Sequence, residues 1–179
     1  MEKSYHIFSE AEIVRSLFQG FLRYQEVRKC WQKGPEGWEL KNVSYYIEDW
    51  NDAQYEFLVK CLKNTVVTGG FVFGVFEGSR MIGFASVESR RFGSGGQYVQ
   101  LSCIHVSWES RGKGLGRGLF QCVCSAARKL GAEKLYISAH PSQETQTFYH
   151  RLGCVEAKEY NEEIAAAEPG DCQLEYNLK

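Results

Sequence analysis

Eleven residues constrain this chain more than any others: Val106-Ser107-Trp108-Glu109-Ser110-Arg111-Gly112-Lys113-Gly114-Leu115-Gly116. Before them, Tyr98 to Val106 reads as a strand. After them, Leu115, Leu119, Val123, Ala126 and Leu130 form a helical stripe that Gly131 stops. A strand that runs through a glycine-rich turn into a helix gathers unpaired backbone N–H groups and the positive end of the helix dipole at one spot, a ready site for phosphate. Glycine suits the turn because a Cβ would hold phosphate oxygens away from the amides. Named residues weaken two nucleotide-loop readings. A Walker loop needs Ser or Thr after Gly-Lys, and Gly114 follows Lys113. The dinucleotide fingerprint GxGxxG needs its third glycine at 119 or 117, where Leu119 and Arg117 stand.

Elsewhere the pattern alternates between helical and strand periods. Ser9-Glu10-Ala11-Glu12 predicts a capping box opening a helix whose buried stripe is Val14, Leu17, Phe18 and Phe21. Val27–Trp31 and Trp38–Leu40 flank the turn-forming Lys33-Gly34-Pro35-Glu36-Gly37, which predicts a hairpin within Gln25–Val43. Asp49–Asp52 offers N-caps for a second helix carrying Tyr55, Leu58, Val59 and Leu62. Phe71–Phe76 and Met81–Val87 read as a tight hairpin, and the loop with Gly93, Gly95 and Gly96 leads to Tyr98–Val106. Beyond the central helix, Lys134–Ser138 is a short buried strand and Ser142 caps a brief helix ending at Gly153. Cys154–Tyr160 and Cys172–Leu178 close the set as two strands joined by an acidic loop. The 179 residues fit one α/β domain with a mixed sheet, without repeats or low-complexity linkers.

Composition narrows the function classes. Apolar residues make up 44% and aromatics 14%, enough for a sizeable core and too much for a disordered chain. Lys and Arg number 21 against 22 Asp and Glu, so no global charge draws the chain to nucleic acid, and no nucleic-acid motif is present. The start, Met1 to His6, lacks the apolar stretch of a signal peptide, and the longest near-apolar run, Phe71–Phe76, is too short for a bilayer. The expectation is a cytoplasmic domain without membrane contact. Seven cysteines, an odd number without a CxxC pair, argue against a secreted disulfide scaffold. Cys122 and Cys124 would lie about 200° apart around a helix, and the four histidines form no ligand pair, so no metal is expected.

Arg111, Gly114 and Gly116 form Arg-x-x-Gly-x-Gly between a strand and a helix, and this resembles the pyrophosphate loop of the GNAT superfamily of acyl-CoA-dependent N-acyltransferases. Leu135-Tyr136-Ile137-Ser138-Ala139-His140-Pro141, followed by Phe148-Tyr149-His150-Arg151-Leu152-Gly153, resembles that family's fifth strand and its FYxxLGF helix. The resemblance covers about residues 66 to 178, and the helix pair before it resembles the family's usual N-terminal half; the Gln25–Val43 hairpin lies outside the pattern. It implies a three-layer fold with a central mixed, mostly antiparallel sheet flanked by helices on both faces. Residues 66–178 would then bind acetyl-CoA and residues 1–65 would form the acceptor side. Local charge agrees: from Ser107 to Lys134 six basic residues face two acidic ones, as a coenzyme with a pyrophosphate and a ribose phosphate would want. A solvated basic helix face is the plain alternative.

The resemblance further implies an N-acetyltransferase in which a neutral primary amine attacks the acetyl thioester directly. A backbone N–H near Ile104, His105 or Val106 would polarise the thioester, and Tyr149 would protonate the leaving thiolate. Arg111, Gly112, Lys113, Gly114, Leu115, Gly116 and Arg117 would hold the coenzyme. Ser142 falls where relatives often have a coenzyme-contacting Asn, although helix capping alone accounts for it. Many members place a glutamate eleven residues before the loop's Arg or Gln; here that residue is Gln100, which cannot usefully accept a proton. Three readings stay open: a water held by Gln100 or Ser102, a side-chain base in His105 or Glu88, or an amine that arrives neutral. Gln100 also motivates an alternative function, a catalytically idle acyl-CoA-binding module. Cys103 and His105 share a strand face, but no orienting third group suggests a nucleophile pair. Between Glu156 and Lys179 seven acidic residues face two basic ones, so Glu162, Glu163 and Glu168 are expected to attract a cationic acceptor such as a polyamine, an aminoglycoside or a lysine side chain, unless the loop is merely solvated. The acceptor would be a small-molecule or peptide amine, and relatives suggest a homodimer.

Overall fold

Alternating apolar side chains build a sheet with two buried faces, and the computed structural model describes it over residues 4–179. Its strands are β1 (Ser4–Ile7), β4 (Phe71–Glu77), β5 (Arg80–Val87), β6 (Tyr98–Val106), β7 (Lys134–Ala139), β9 (Cys172–Asn177) and β8 (Val155–Glu156), in that spatial order. Every neighbouring pair is antiparallel except β6 and β7. A separate two-stranded ribbon joins β2 (Gln25–Gly34) to β3 (Gly37–Glu48).

One face of the sheet packs against α2 (Leu115–Lys129) and α3 (Gln143–Leu152). Leu119, Val123 and Ala127 of α2 are fully buried against Val75, Ile82, Val99 and Leu135, and each large side chain there contributes about 1.5–3 kcal/mol. The other face packs against α1 (Asp52–Val67), whose Tyr55, Leu58, Val59 and Leu62 meet Val72, Met81 and Phe84. Further along that face Tyr98 and Tyr136 stack edge-on beneath Ile164 of α4 (Glu162–Ala167). The result is the expected α/β three-layer arrangement, a mixed, mostly antiparallel sheet with helices on both faces.

Several sequence expectations are corrected. The Ser9 capping box forms, with Glu12 Oε2 accepting from the Ser9 backbone N–H at 2.7 Å, but it opens 3-10 turns at Glu10–Glu12 and Arg15–Phe18 rather than a helix. The β-branched pair Ile13 and Val14 interrupts it in extended geometry, so Ile13 is buried and Val14 is exposed. The hairpin runs past Val43 to Glu48. The expected strand Cys154–Tyr160 shrinks to Val155–Glu156, and part of the acidic loop coils into α4, capped by Asn161. Edge strand β1 carries no sequence signal; its four residues are all exposed. Of the start Met1–His6, residues 1–3 lie outside the described part.

Candidate active site

β6 and β7 run parallel and hydrogen-bonded for only three pairs, Tyr98–Gln100 against Lys134–Tyr136. Beyond them the strands part, and a cavity of about 800 Å³ opens at their carboxyl ends, where sheets with a reversal of strand order place their sites. The departure coincides with a bulge: Val87 faces Leu101 and Ser86 faces Cys103, which leaves Ser102 as the extra residue of β6. The Ser102 hydroxyl is fixed by Ser86 Oγ at 2.7 Å and by Glu88 Oε1 at 2.6 Å. After the bulge, Ser107 N–H donates to Ile82 O. In an antiparallel ladder the direction alternates, so the N–H groups of Ile104 and Val106 point away from β5 into the gap. Arg111 Nε donates to Val106 O at 3.1 Å.

The α2 side of the cavity is a glycine wall. Gly112 and Gly114 have φ of 74° and 78°, and Gly114 is the N-cap of α2. A Cβ at either would meet nothing within 4 Å, so left-handed backbone and open space, not crowding, require glycine there. Gly116 has a different reason: its Cβ would come within 2.9 Å of Phe148 Cε2, so glycine lets the α3 ring lie against the first turn of α2. Arg111 packs over Trp108 and reaches Glu144 at 3.4 Å. Leu115, Arg117 and Arg151 also line this wall, which offers amides, a helix N-terminus and cations to an anion.

The opposite wall is polar and assembled from distant segments. Arg23 is 8% exposed and pairs with Glu48 Oε2 at 3.2 Å, while its buried Nε has no hydrogen-bond partner among the described residues. Glu48 Oε1 also meets His140 Nε2 at 3.2 Å. The His140 hydrogen bond first, and then Arg23, hold the Glu48 carboxyl below its ordinary range against the opposing effect of burial. His140 Nδ1 accepts from Ser142 N–H, so Nε2 carries the proton that faces Glu48. His105 stacks edge-on to Trp50 at 4.8 Å; burial first, then Arg23 and Arg111, push its pKa well below the ordinary imidazole value. Asp171 is pushed up to about 6 by burial. Burial raises the Cys103 thiol to about 11, far from a thiolate nucleophile.

Tyr149 lies on α3 at the junction of the two walls and is 5% exposed. Burial, then Cys154, Cys103 and Asp171, push its hydroxyl far above the phenol range, so it stays protonated. Ile104, His105, Val106, Arg111, Gly112, Gly114, Leu115, Gly116, Arg117 and Tyr149 thus share one cavity, with Ser102 beside them. Gln100, Lys113 and Ser142 are not on its lining. Gln100 pairs with Tyr136 where the strands are still joined, and Ser142 caps α3 through Thr145 N–H. Glu162, Glu163 and Glu168 are exposed on and after α4, off the lining. Sequence reading missed Arg23, Ser138 and His140, which line the cavity, and Glu48 and Asp171, which stand behind it against His140 and Ser138. Ser138 and His140 stood within the quoted strand motif, while the others carried no local signal. Among the described residues no His, Cys, Asp and Glu group could hold a metal, and no helix is long and apolar enough to cross a membrane.

Residues 24–154 match the model of the Acetyltransferase (GNAT) family. No curated protein sequence matches the chain significantly. Among solved structures it is similar to nourseothricin acetyltransferase, at 15% identity and a TM-score of 0.69 over 100% of both chains. A Bacillus anthracis protein named for streptothricin acetylation, in complex with acetyl coenzyme A, aligns over 100% of both chains at 12% identity and a TM-score of 0.74. PaiA N-acetyltransferase from Thermoplasma acidophilum, in complex with coenzyme A, aligns over 99% of both chains at 12% identity and a TM-score of 0.60.

Proposed function

Because the chain belongs to the GNAT acetyltransferase family, we propose that it transfers the acetyl group of acetyl-CoA to a primary amine by direct attack. The observation that carries this reading is a single cavity with the outward-facing amides of Ile104 and Val106, the left-handed glycines at the start of α2 and the protonated Tyr149. Solved relatives in complex with acetyl-CoA or coenzyme A support the choice of cosubstrate.

Gly112, Gly114 and Gly116, with Arg111 and Arg117, hold the pyrophosphate at the α2 N-terminus. The thioester then lies along β6, where an amide of Ile104 or Val106 donates to its carbonyl oxygen and stabilises the developing negative charge. The amine enters from the Arg23–His140 wall and attacks while both groups are held at contact distance. Burial keeps Tyr149 protonated until the C–S bond breaks, so its proton is available to the departing thiolate. The transfer is uphill, because the raised phenol is the weaker acid, and C–S cleavage must carry it. His105 is neutral and lies on the acceptor wall, where it orients the amine or an intervening water. Glu162, Glu163 and Glu168 act at longer range, steering a cationic acceptor toward the cleft.

Calorimetric titration with acetyl-CoA, against NADH and ATP, tests the first step: micromolar binding of acetyl-CoA alone is expected, and its absence would remove the proposal. Thiol release across a panel of polyamines, aminoglycosides and lysine peptides tests the second. Binding without release from any amine would favour the idle acyl-CoA-binding module that Gln100 motivates.

A further inference from the structure

A directional hydrogen-bond chain runs under the acceptor wall and ends on a carboxylate. Asn161 N–H, which can only donate, gives to Tyr136 Oη at 3.0 Å. Tyr136 therefore donates onward to Gln173 Oε1 at 2.7 Å. That fixes the Gln173 amide, whose Nε2 donates to Ser138 Oγ at 2.9 Å. Ser138 in turn donates to Asp171 Oδ2 at 3.2 Å. A hydroxyl has one donor and two acceptor positions, so Ser138 keeps one acceptor position free, and Ser138 lines the cavity.

We propose that Asp171, acting through the Ser138 hydroxyl, takes the proton that the attacking amine sheds. The proposal rests on the acetyl-transfer reading and supplies the acceptor that Gln100 cannot. As the nitrogen lone pair forms the N–C bond, the ammonium proton passes to Ser138 Oγ while the Ser138 proton passes to Asp171. The C–S bond breaks, and the thiolate takes the Tyr149 proton. Asp171 then releases its proton to water, and Tyr149 regains one from water. Asp171 is a positioning and proton-storing residue, because Ser138 stands between it and the amine.

The surroundings of Asp171 suit the role. Burial raises the carboxyl most, Glu168 and Glu48 add to that rise, and His140 and Ser138 offset only part of it. Tyr149 and Cys172 also face it. The carboxyl therefore titrates near 6, close to the working range of a general base.

The test compares kcat against pH for the wild type and for Asp171→Asn, which keeps an acceptor for Ser138 but removes the basicity. Wild-type kcat should rise through about pH 6 and level off. Asp171→Asn should lose about 100-fold in kcat together with that inflection, with its affinity for acetyl-CoA retained by calorimetry. Ser138→Ala should behave likewise, and Ser138→Thr should retain most of the rate. A purely structural role would lower thermal stability and leave the inflection in place. Full activity or a retained inflection in Asp171→Asn would overturn the relay alone. A wild type that binds acetyl-CoA but releases no thiol with any amine would overturn the acetyl-transfer reading and the relay with it.

Discussion

The two walls of the cleft differ in how much chain builds them. The glycine wall comes mainly from the consecutive residues Arg111 to Arg117 at the start of α2. The acceptor wall draws Arg23 from before β2, His105 from β6, and Ser138 and His140 from β7 and its end, backed by Glu48 from the end of β3 and Asp171 from before β9. Phosphate binding by amides needs consecutive residues, because adjacent N–H groups must converge on one anion. Proton handling needs only side chains brought close, and any folded segment can supply one.

Substitutions on each wall should therefore separate coenzyme binding from acceptor chemistry. The largest effect is expected from Gly114→Glu, which puts a side chain at φ 78° and a carboxylate at a helix N-terminus. Acetyl-CoA affinity should fall by about 100-fold or more by calorimetry, equivalent to about 3 kcal/mol, while the fold survives because nothing crowds a Cβ there. Next, Tyr149→Phe should lower kcat by about 10- to 100-fold in steady-state assays and leave acetyl-CoA affinity nearly unaltered. Equal losses in both would merge the walls into one functional unit.

Glu48→Gln should act on the acceptor wall and on stability together. It strips the buried Arg23 of its carboxylate and should cost about 1–3 kcal/mol in denaturant unfolding, at the lower end for a broken buried pair because Glu48 is partly exposed. The Glu48 carboxyl is held below its ordinary value of 4.5 in the folded state. Its contribution is therefore complete above that value and is lost as pH falls through the lower folded value. The melting-temperature gap between wild type and variant should thus stay wide from neutral pH to about 5 and narrow below 4. Smallest is the effect of converting Glu162, Glu163 and Glu168 to Gln. Acceptor KM should rise about two- to threefold at low salt and return to wild type at high salt, and a rise that salt does not touch would mean contact rather than steering.

How much of this was legible in the sequence follows from the same contrast. The Arg111–Gly116 turn, the α2 stripe and the Phe148–Gly153 segment are local patterns, so one wall and Tyr149 are legible without any tertiary contact. Most strands are legible as period-two runs whose register both buried faces enforce, whereas their spatial order is set by pairings between distant segments. Failures came where local preference competed with packing. Ser9 and Glu12 signal a helix start, but Ile13 is needed in the core, and the backbone extends to deliver it. The exposed strand β1 had no alternation to read. Glu48, Asp171 and Arg23 look like ordinary surface charges in sequence. Their meaning arises only when the segment before β2, the end of β3 and the start of β9 come to one place.

The β2–β3 ribbon adds no strand to the main sheet. It is tied down through Trp31 N–H to Pro141 O at 2.8 Å, Gln25 Nε2 to Ser142 Oγ at 2.9 Å and Lys33 to Glu156 at 2.7 Å. Its ladder is therefore independent of the register of the seven-stranded sheet, even though Trp31 and Trp38 pack against the core. A lengthened or shortened ribbon would be felt at the head of α3 and at β8, where those three ties end, rather than along the strands of the sheet.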